Sequence, residues 1–247
     1  MHCLVILPTF NEAANIVEVL ERLRAAVPSA HVLVVDDASP DGTADLVEKI
    51  ASDVGPVEVL RRPAKSGLGS AYRDGFRHGL DRGFEVLVEM DSDLSHDPAA
   101  LSVLLGVIDD GASLALGSRY VPGGSIPAWS WHRRALSRWG NRYAAAVLGV
   151  DIADATSGFR AYRAEILQAI DFGSVRADGY GFQIEMAYRV VRAGGTVTEV
   201  PISFTDRIRG ESKMSARIIV EALILVTGWG LRDRVLKFRS RMPKTDR

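Results

Sequence analysis

The sequence is poor in cysteine, in charge of one sign and in long apolar runs, and each scarcity excludes a class of protein. Cys3 is the single cysteine among 247 residues, so no internal disulfide can form and a reducing compartment is expected. A formal net charge of −1 argues against a dedicated nucleic-acid binder, which is usually basic. No apolar run reaches the roughly 20 residues of a membrane-crossing helix, and no basic-then-apolar leader suggests secretion.

What the sequence does contain is a regular alternation of two patterns. Short apolar runs at residues 3–7, 31–35 and 57–60 predict buried strands, and apolar residues at helical spacing near 16–27 and 43–53 predict helices between them. Strands that alternate with helices call for a parallel, right-handed α/β sheet. With 47% hydrophobic and 25% charged residues, the chain suits one globular domain with a short appendage.

Polar residues follow three strands of this predicted sheet. Glu12 comes after the first strand, Asp37 after the second and Asp91 after a strand near residues 86–90. In an open α/β sheet, ligands bind beside the carboxyl ends of the strands. The turn after the first strand lacks the G-x-G-x-x-G of a dinucleotide fold, so we expect a different ligand at this edge.

Two aspartates separated by one small residue end the strand within residues 86–98. Asp91 and Asp93 point the same way on an extended backbone, and neighbouring carboxylates repel unless a cation lies between them. The pattern therefore indicates a hard divalent ion that carries a phosphate-bearing substrate. A purely structural alternative is that Asp91 ends the strand and Asp93 opens a turn.

Further basic segments could bind anions. Lys65 precedes a Gly67-x-Gly69 loop at the start of a helix, where backbone amides favour anions, although such a loop can also be a simple turn. Arg119 ends a strand near residues 113–116, and a basic helix follows from His132. Within that helix Arg133 and Ser137 share a face. These groups either converge on a second phosphate or form a solvated basic surface.

The second half of the chain is richer in loops. Residues 121–131 contain two glycines and two prolines and predict a mobile loop that could act as a lid. Residues 156–160 predict a turn that opens a helix, and Glu185 is expected in the first turn of another helix, where it would offset the dipole. Residues 196–204 predict a last strand at a sheet edge, because Pro201 cannot donate to a ladder.

The motifs, taken in order, resemble a known family. They are P-T-F-N-E at 8–12, D-D-A-S-P-D-G-T at 36–43, D-S-D-L-S-H-D-P at 91–98, G-S-R-Y at 117–120, T-S-G-F-R-A-Y at 156–162 and F-T-D-R-I-R-G-E-S-K at 204–213. The ordered set resembles the polyprenol (dolichol) monophosphate mannose synthases of glycosyltransferase family 2. The resemblance covers about residues 4–215.

This resemblance implies a fold and a reaction. The fold would be GT-A, a Rossmann-like α/β domain with a mostly parallel sheet, here over residues 1–214. A basic amphipathic helix and tail would occupy residues 215–247. The reaction would transfer mannose from GDP-mannose to polyprenyl phosphate with inversion, giving polyprenyl-phosphate mannose and GDP.

The resemblance also implies roles for single residues. Mg²⁺ or Mn²⁺ on the diphosphate would be held by Asp91, Asp93 and Ser95, where relatives can have Gln in place of Ser95. The donor would be bound by Pro8, Phe10, Glu12, Val35, Asp37, Asp91, Ser92, Asp93, Arg119, Arg207 and Lys213. The acceptor phosphate would be bound by Arg119, Arg133 and Ser137. The residues implied for catalysis are Asp93, Arg119, Arg133 and Lys213.

The chemistry of such a reaction agrees with these residue types. A phosphate monoester is already ionised near neutral pH, so this acceptor needs no strong general base. The difficulty is to bring an anion against a doubly charged donor, and arginines hold phosphate oxygens bidentately while they offset that repulsion. We therefore expect positioning and electrostatics to supply most of the catalysis.

The tail suits a lipid acceptor. Residues 215–231 predict an apolar helix, and the residues after it are rich in Lys and Arg. Such a helix can lie in a membrane interface and attract anionic lipids, or it can simply pack on the sheet. We expect peripheral binding to the cytoplasmic face of a membrane, with a separate integral-membrane protein as an anchor.

Three alternatives remain open from the residues alone. The same fold could use UDP-glucose or another donor to make a different polyprenyl-phosphate sugar. A family-2 enzyme with a hydroxyl acceptor would need a base, for which Glu185 and Asp97 are candidates. A catalytically silent scaffold would not need Asp91, Asp93, Arg119 and Lys213 together.

Overall fold

A computed structural model of the chain describes residues 1–206 and 216–241. The strands are β1 Cys3–Thr9, β2 His31–Asp36, β3 Val57–Arg61, β4 Val86–Glu89, β5 Leu114–Ser118, β6 Arg160–Arg163 and β7 Val197–Pro201. The helices are α1 Ile16–Ala26, α2 Thr43–Val54, α3 Leu68–Asp81, α4 Leu101–Asp109, α5 Trp131–Leu148, α6 Ala164–Ala169, α7 Gly179–Arg192 and α8 Ala216–Arg241. Arg207 and Lys213, which are predicted to bind the donor, lie outside the described residues.

The described strands form one seven-stranded sheet in the order β3-β2-β1-β4-β6-β5-β7. β1 lies parallel between β2 and β4, so the carboxyl ends of these strands meet at one edge, as predicted. β6 runs antiparallel to both β4 and β5. Two apolar clusters cover the two faces of the sheet, and the mixed α/β fold class is confirmed.

The prediction for residues 156–160 was wrong. These residues open β6 rather than a helix, because Arg160 and the residues after it pair with β4 on one side and β5 on the other. The short helix α6 begins only after that strand. The prediction for the last strand is confirmed, since β7 lies at the sheet edge and ends at Pro201.

The helix α8 packs on the rest of the chain. It contacts α5 and α7, and Ala222 and Val226 on it are buried. Other apolar side chains of α8 stay exposed, among them Val220 and Ile224. None of the helices in residues 1–206 and 216–241 combines the length and the hydrophobicity required to cross a bilayer. The predicted boundary between residues 1–214 and 215–247 stays a prediction.

Candidate active site

The turn after β4 presents one open and one buried carboxylate. The Asp91 side chain is 31% exposed, whereas Asp93 is buried and its Oδ1 accepts a hydrogen bond from the backbone N–H of Ser95 at 3.1 Å. Ser92 Oγ donates to the carbonyl of Pro8 at 2.8 Å and ties the turn to β1. Leu94 adopts a φ of 64° to complete the turn.

The buried side chain of His96 packs against this turn and is hydrogen-bonded to its backbone. Burial lowers the pKa of His96 to about 4, so its imidazole is neutral near pH 7. Its Nδ1 accepts the backbone N–H of Asp91 at 3.4 Å. The ring packs against Phe159 and Phe204. The turn thereby packs against the residue directly before β6 and against the segment after β7.

The groups at this turn fit a divalent cation. Asp91 and Asp93 lie two residues apart, and the hydroxyl of Ser95 is buried there without a hydrogen-bond partner. The described residues contain no cluster of three or more His, Cys, Asp or Glu side chains that could form an all-protein cage. Mg²⁺ is commonly bound by one or two carboxylates, with substrate phosphates and water as its other ligands, and this set suits that arrangement.

The edge formed by β1 and β2 holds the residues predicted for the nucleoside. Lys65 Nζ lies 3.8 Å from the ring centroid of Phe10, and Asn15 Nδ2 donates to Glu12 Oε2 at 2.8 Å. Pro8 is half-buried beside them. Val35, in contrast, has no exposed surface and packs in the core.

Asp37 forms an ion pair with Arg62, which was not predicted. Arg62 contacts the Asp37 carboxylate through Nη1, and the backbone N–H of Ser66 donates to its other oxygen at 3.1 Å. Both side chains of the pair are 8% exposed. The signal in the sequence was a basic residue directly after β3, at the same sheet edge.

The glycine loop before α3 is already capped by a carboxylate. Asp178 Oδ1 accepts the backbone N–H of Gly69 at 2.7 Å. A Cβ on Gly67 would lie 2.2 Å from Asp178 Oδ2, so only glycine fits there. The Gly69 amide, at the helix start predicted to bind a ligand anion, is therefore bonded to an acidic side chain of the chain itself.

Arg119 is buried and paired with Asp154. Its Nε donates to Asp154 Oδ2 at 2.7 Å and its Nη2 to Oδ1 at 2.6 Å. The same Nη2 also donates to Thr156 Oγ1 at 2.8 Å. Burial alone would lower the pKa of Arg119, but the Asp154 carboxylate outweighs it and the pKa is raised. Asp154 was not predicted from the sequence.

Arg133, on α5, contacts Trp129 and Asp206. Its guanidinium stacks 3.8 Å from the centroid of the Trp129 ring, and its Nη1 donates to Asp206 Oδ1 at 3.1 Å. Trp129 Nε1 donates to the same oxygen at 2.9 Å. Asp206 thus joins the predicted lid segment to α5, directly before the undescribed residues 207–215.

The predicted lid segment, residues 121–131, is tied down in its middle. Ser125 bridges to Ser203 through the backbone and through their hydroxyls at 3.0 Å. A Cβ on Gly124 would lie 2.7 Å from the backbone of Arg119. This loop therefore packs closely on the candidate site, and its motion as a lid stays a prediction.

The prediction for Glu185 was wrong. It lies in the interior of α7 rather than in the first turn, because the helix already begins at Gly179. Its carboxylate accepts Nη2 of Arg189 at 2.6 Å. Asp97, the other candidate base, is exposed and caps a 3₁₀ turn by accepting the backbone N–H of Ala99 at 3.0 Å. The carboxylates of Glu185 and Asp97 thus both have structural roles within the fold.

An apolar groove of about 80 Å³ opens between α5, α7 and α8. Arg133, Ser137 and Thr156 are among the polar side chains that line it. The remaining walls are largely apolar, formed by Trp129, Leu136, Trp139, Gly140, Tyr143, Ala144, Tyr180, Ile184, Ile219, Ala222, Leu223 and Val226. Because Thr156 is bonded to Arg119, the groove adjoins the buried arginine. Two of the three residues predicted for the acceptor phosphate, Arg133 and Ser137, thus line one cavity.

Comparison with known proteins gives three results. A family model described as "Glycosyl transferase family 2" matches residues 4–171. The chain is 50% identical over 237 residues to a polyprenol monophosphomannose synthase of Mycolicibacterium smegmatis, covering 96% of this chain and 89% of that protein. It is 49% identical over 242 residues to an undecaprenyl-phosphate mannosyltransferase of Micrococcus luteus, covering 98% and 99%.

The structure is also similar to a solved one. Glucosyl-3-phosphoglycerate synthase of Mycobacterium tuberculosis, in complex with Mn²⁺, uridine diphosphate and glucosyl-3-phosphoglycerate, superposes with a TM-score of 0.65 at 22% identity, over 94% of this chain and 79% of that one. This likeness concerns the fold, and it confirms the predicted GT-A architecture.

Proposed function

Because the chain belongs to glycosyltransferase family 2, we propose that it transfers mannose from a nucleotide donor to polyprenyl phosphate. The relatives named as polyprenol monophosphomannose synthase and undecaprenyl-phosphate mannosyltransferase span nearly the whole chain. The observation that carries the proposal is the apolar groove, which Arg133 and Ser137 also line. An acceptor with an anionic head and a long hydrocarbon tail has the matching chemistry.

We assign GDP-mannose as the donor on the sequence resemblance. The nucleoside would lie against the edge formed by Phe10, Glu12 and Asp37, where Lys65 already stacks on an aromatic ring. The diphosphate would lie at Asp91 and Asp93, with Mg²⁺ or Mn²⁺ as the ion. Such an ion supplies a positive charge that stabilises the negative charge developing on the leaving nucleotide.

The residues of this chain would then act by holding two anions together. An oxygen of the acceptor phosphate attacks the anomeric carbon, a new carbon–oxygen bond forms, and the bond to the diphosphate breaks with inversion. The attacking oxygen carries no proton at neutral pH, so no base has to accept one. Arg133 offsets the repulsion between the two anions, and Arg119 contributes through the buried cluster with Asp154 and Thr156.

The product assay separates this function from its rivals. Detergent-solubilised protein is incubated with Mg²⁺, polyprenyl phosphate and either radiolabelled GDP-mannose or radiolabelled UDP-glucose, and the lipid phase is counted. We expect labelled lipid with GDP-mannose alone. Labelling from UDP-glucose alone would identify a different donor, and a lipid phase that stays unlabelled with both donors would exclude polyprenyl phosphate as the acceptor.

We further propose that the protein works at the cytoplasmic face of a membrane, bound peripherally and held by an integral-membrane anchor protein. Support comes from apolar side chains that α5 and α8 leave exposed, such as Trp131 at 75% and Ile224 at 66%. Exposed cations at Arg232 and Arg234 follow them on α8. Apolar and basic groups in proximity are typical of helices that bind a membrane interface.

A further inference from the structure

Arg160 is a buried charge in the middle of the fold. Its side chain is among the largest fully buried ones in the described residues, and a buried guanidinium is costly unless its donors are satisfied. It is bonded to backbone oxygens on two separate segments. Nε donates to the carbonyl of Ser157 at 2.6 Å, Nη2 to that of Ala155 at 2.7 Å, and Nη1 to that of Gln183 at 2.7 Å.

These carbonyls belong to two walls of the candidate site. Ala155 and Ser157 lie in the loop before β6, which also carries Asp154 and Thr156, the partners of Arg119. Gln183 lies on α7, which lines the apolar groove through Tyr180 and Ile184. One guanidinium therefore fixes the loop on the acceptor side of the site against the helix.

The same side chain also faces the strand that carries the aspartates. Arg160 is the register partner of Glu89 across the β4–β6 ladder, and Glu89 is fully buried two residues before Asp91. A Cβ on Gly158 would lie 3.6 Å from both carboxylate oxygens of Asp91, so the loop that Arg160 holds lies directly against that aspartate.

We propose that Arg160 is a positioning residue that sets the spacing between the Asp91 edge and the Arg119–Asp154–Thr156 cluster. It touches neither reacting group, and it acts through the loop at residues 155–158 and through α7. Since two anions must meet at a defined separation, a small shift of one wall lowers turnover while each substrate still binds its own wall. The inference rests on the proposed function for its activity readout.

The test compares two arginines of one strand. Arg160→Lys keeps the charge but loses the planar fork that reaches carbonyls on both segments. The control is Arg163→Lys, because Arg163 also lies on β6 and donates to backbone carbonyls, those of Ala112 at 3.0 Å and of Ile108, away from the site. Both variants lose hydrogen bonds from an arginine to backbone carbonyls. Any loss of activity that comes only from a less stable fold should therefore be seen in both.

For Arg160→Lys we expect kcat to fall by at least about 10-fold, since misplacement of reacting groups by about 1 Å can cost about 100-fold. The KM of the donor and the Kd of GDP measured by calorimetry with Mn²⁺ should change by less than about 3-fold, because the nucleoside edge on β1 and β2 is not bonded to Arg160. Arg163→Lys should keep the wild-type kcat. An unchanged kcat in Arg160→Lys, or an equal fall in Arg163→Lys at equal Tm, would overturn the proposal.

Two further measurements keep the outcomes distinct. If Arg160→Lys does not fold, the double variant Glu89→Leu/Arg160→Met replaces both buried ionisable side chains with apolar ones, a change that protein interiors often tolerate. We expect it to fold and to keep the low kcat. If neither variant folds, Arg160 serves the fold as a whole and the proposal is wrong. A wild type that transfers no mannose but binds GDP with Mn²⁺ would instead refute the proposed function.

Discussion

At the scale of single residues, the site depends on carboxylates in contrasting environments. Asp91 is partly open, Asp93 is buried with a bond to Ser95, and Asp154 is buried against Arg119. We propose the first two as ligands of a cation, whereas the third neutralises an arginine. Residue type alone does not distinguish these roles, because the environment of each carboxylate decides what it binds.

Asp93→Asn should reduce kcat/KM by on the order of 100-fold, the usual loss when one electrostatic contact to the developing charge is removed. The amide keeps the shape of the side chain but loses the charge that attracts a divalent ion. The measurement is the initial rate of mannose transfer as a function of Mn²⁺ concentration. The matched control is Asp97→Asn, an exposed carboxylate on the same segment, which should keep at least half of the activity. Wild-type rates in Asp93→Asn would contradict its role at the metal.

Asp154→Asn should destabilise the fold by roughly 3–5 kcal/mol, because it leaves the buried charge of Arg119 without its partner. Denaturant unfolding measures this change as a lower midpoint. For comparison, Glu18→Gln breaks the surface pair with Arg22, whose side chains are 41% and 47% exposed, and should cost less than about 1 kcal/mol. Equal losses of unfolding free energy in the two variants would show that the buried Asp154–Arg119 pair contributes no more than a surface pair.

At the scale of elements, local patterns predicted most of the fold. The parallel strands β1, β2 and β4 and the helices between them were predicted because their apolar residues recur at the spacing of a strand or a helix. β6 was missed, since R-A-Y-R has no such period and is a strand only through its pairing with β4 and β5. For the same reason the partners of Arg119 and Arg160 could not be predicted. Asp154 is 35 residues from Arg119, and only the folded sheet brings them together.

The groove lined by α5, α7 and α8 leads to a prediction about the length of the acceptor's prenyl chain. Leu223 lines the groove, whereas its neighbour Ile224 is 66% exposed. Leu223→Ser should raise the KM for a long-chain polyprenyl phosphate about 10-fold, since it removes about 1–3 kcal/mol of apolar contact, and leave the KM of the donor unchanged. Ile224→Ser is the control and should have no effect in detergent.

Comparing a long-chain with a short-chain prenyl phosphate sharpens this experiment. The loss in Leu223→Ser should be confined to the long chain, because a short chain does not fill the apolar part of the groove. Equal losses for both acceptors would indicate that the serine disturbs the packing of α8 on α5, and not a site for the hydrocarbon tail.

At the scale of the whole molecule, the charge is nearly balanced but unevenly placed. The formal net charge is −1, yet the chain after Leu231 is distinctly basic. Exposed apolar side chains on α5 and α8 lie on the helices that line the groove. A lipid acceptor that enters the groove from a bilayer would require these helices to face the membrane. Orientation at the surface and access of the acceptor would then depend on the same face.

Arg232→Gln/Arg234→Gln should therefore weaken binding to vesicles that contain anionic lipid. Each basic side chain near such a surface contributes about 1 kcal/mol, so the double variant should lose about 30-fold in partitioning at low salt and less at high salt. The control Arg22→Gln/Arg77→Gln removes two exposed cations from α1 and α3 and should bind as the wild type does, since these helices lie on other parts of the fold. Cosedimentation with neutral and anionic vesicles measures both. If both double variants lose the same amount, total charge attracts the protein and no particular face is directed at the membrane; if only the first loses binding, the basic end of α8 sets the orientation in which the groove meets its lipid.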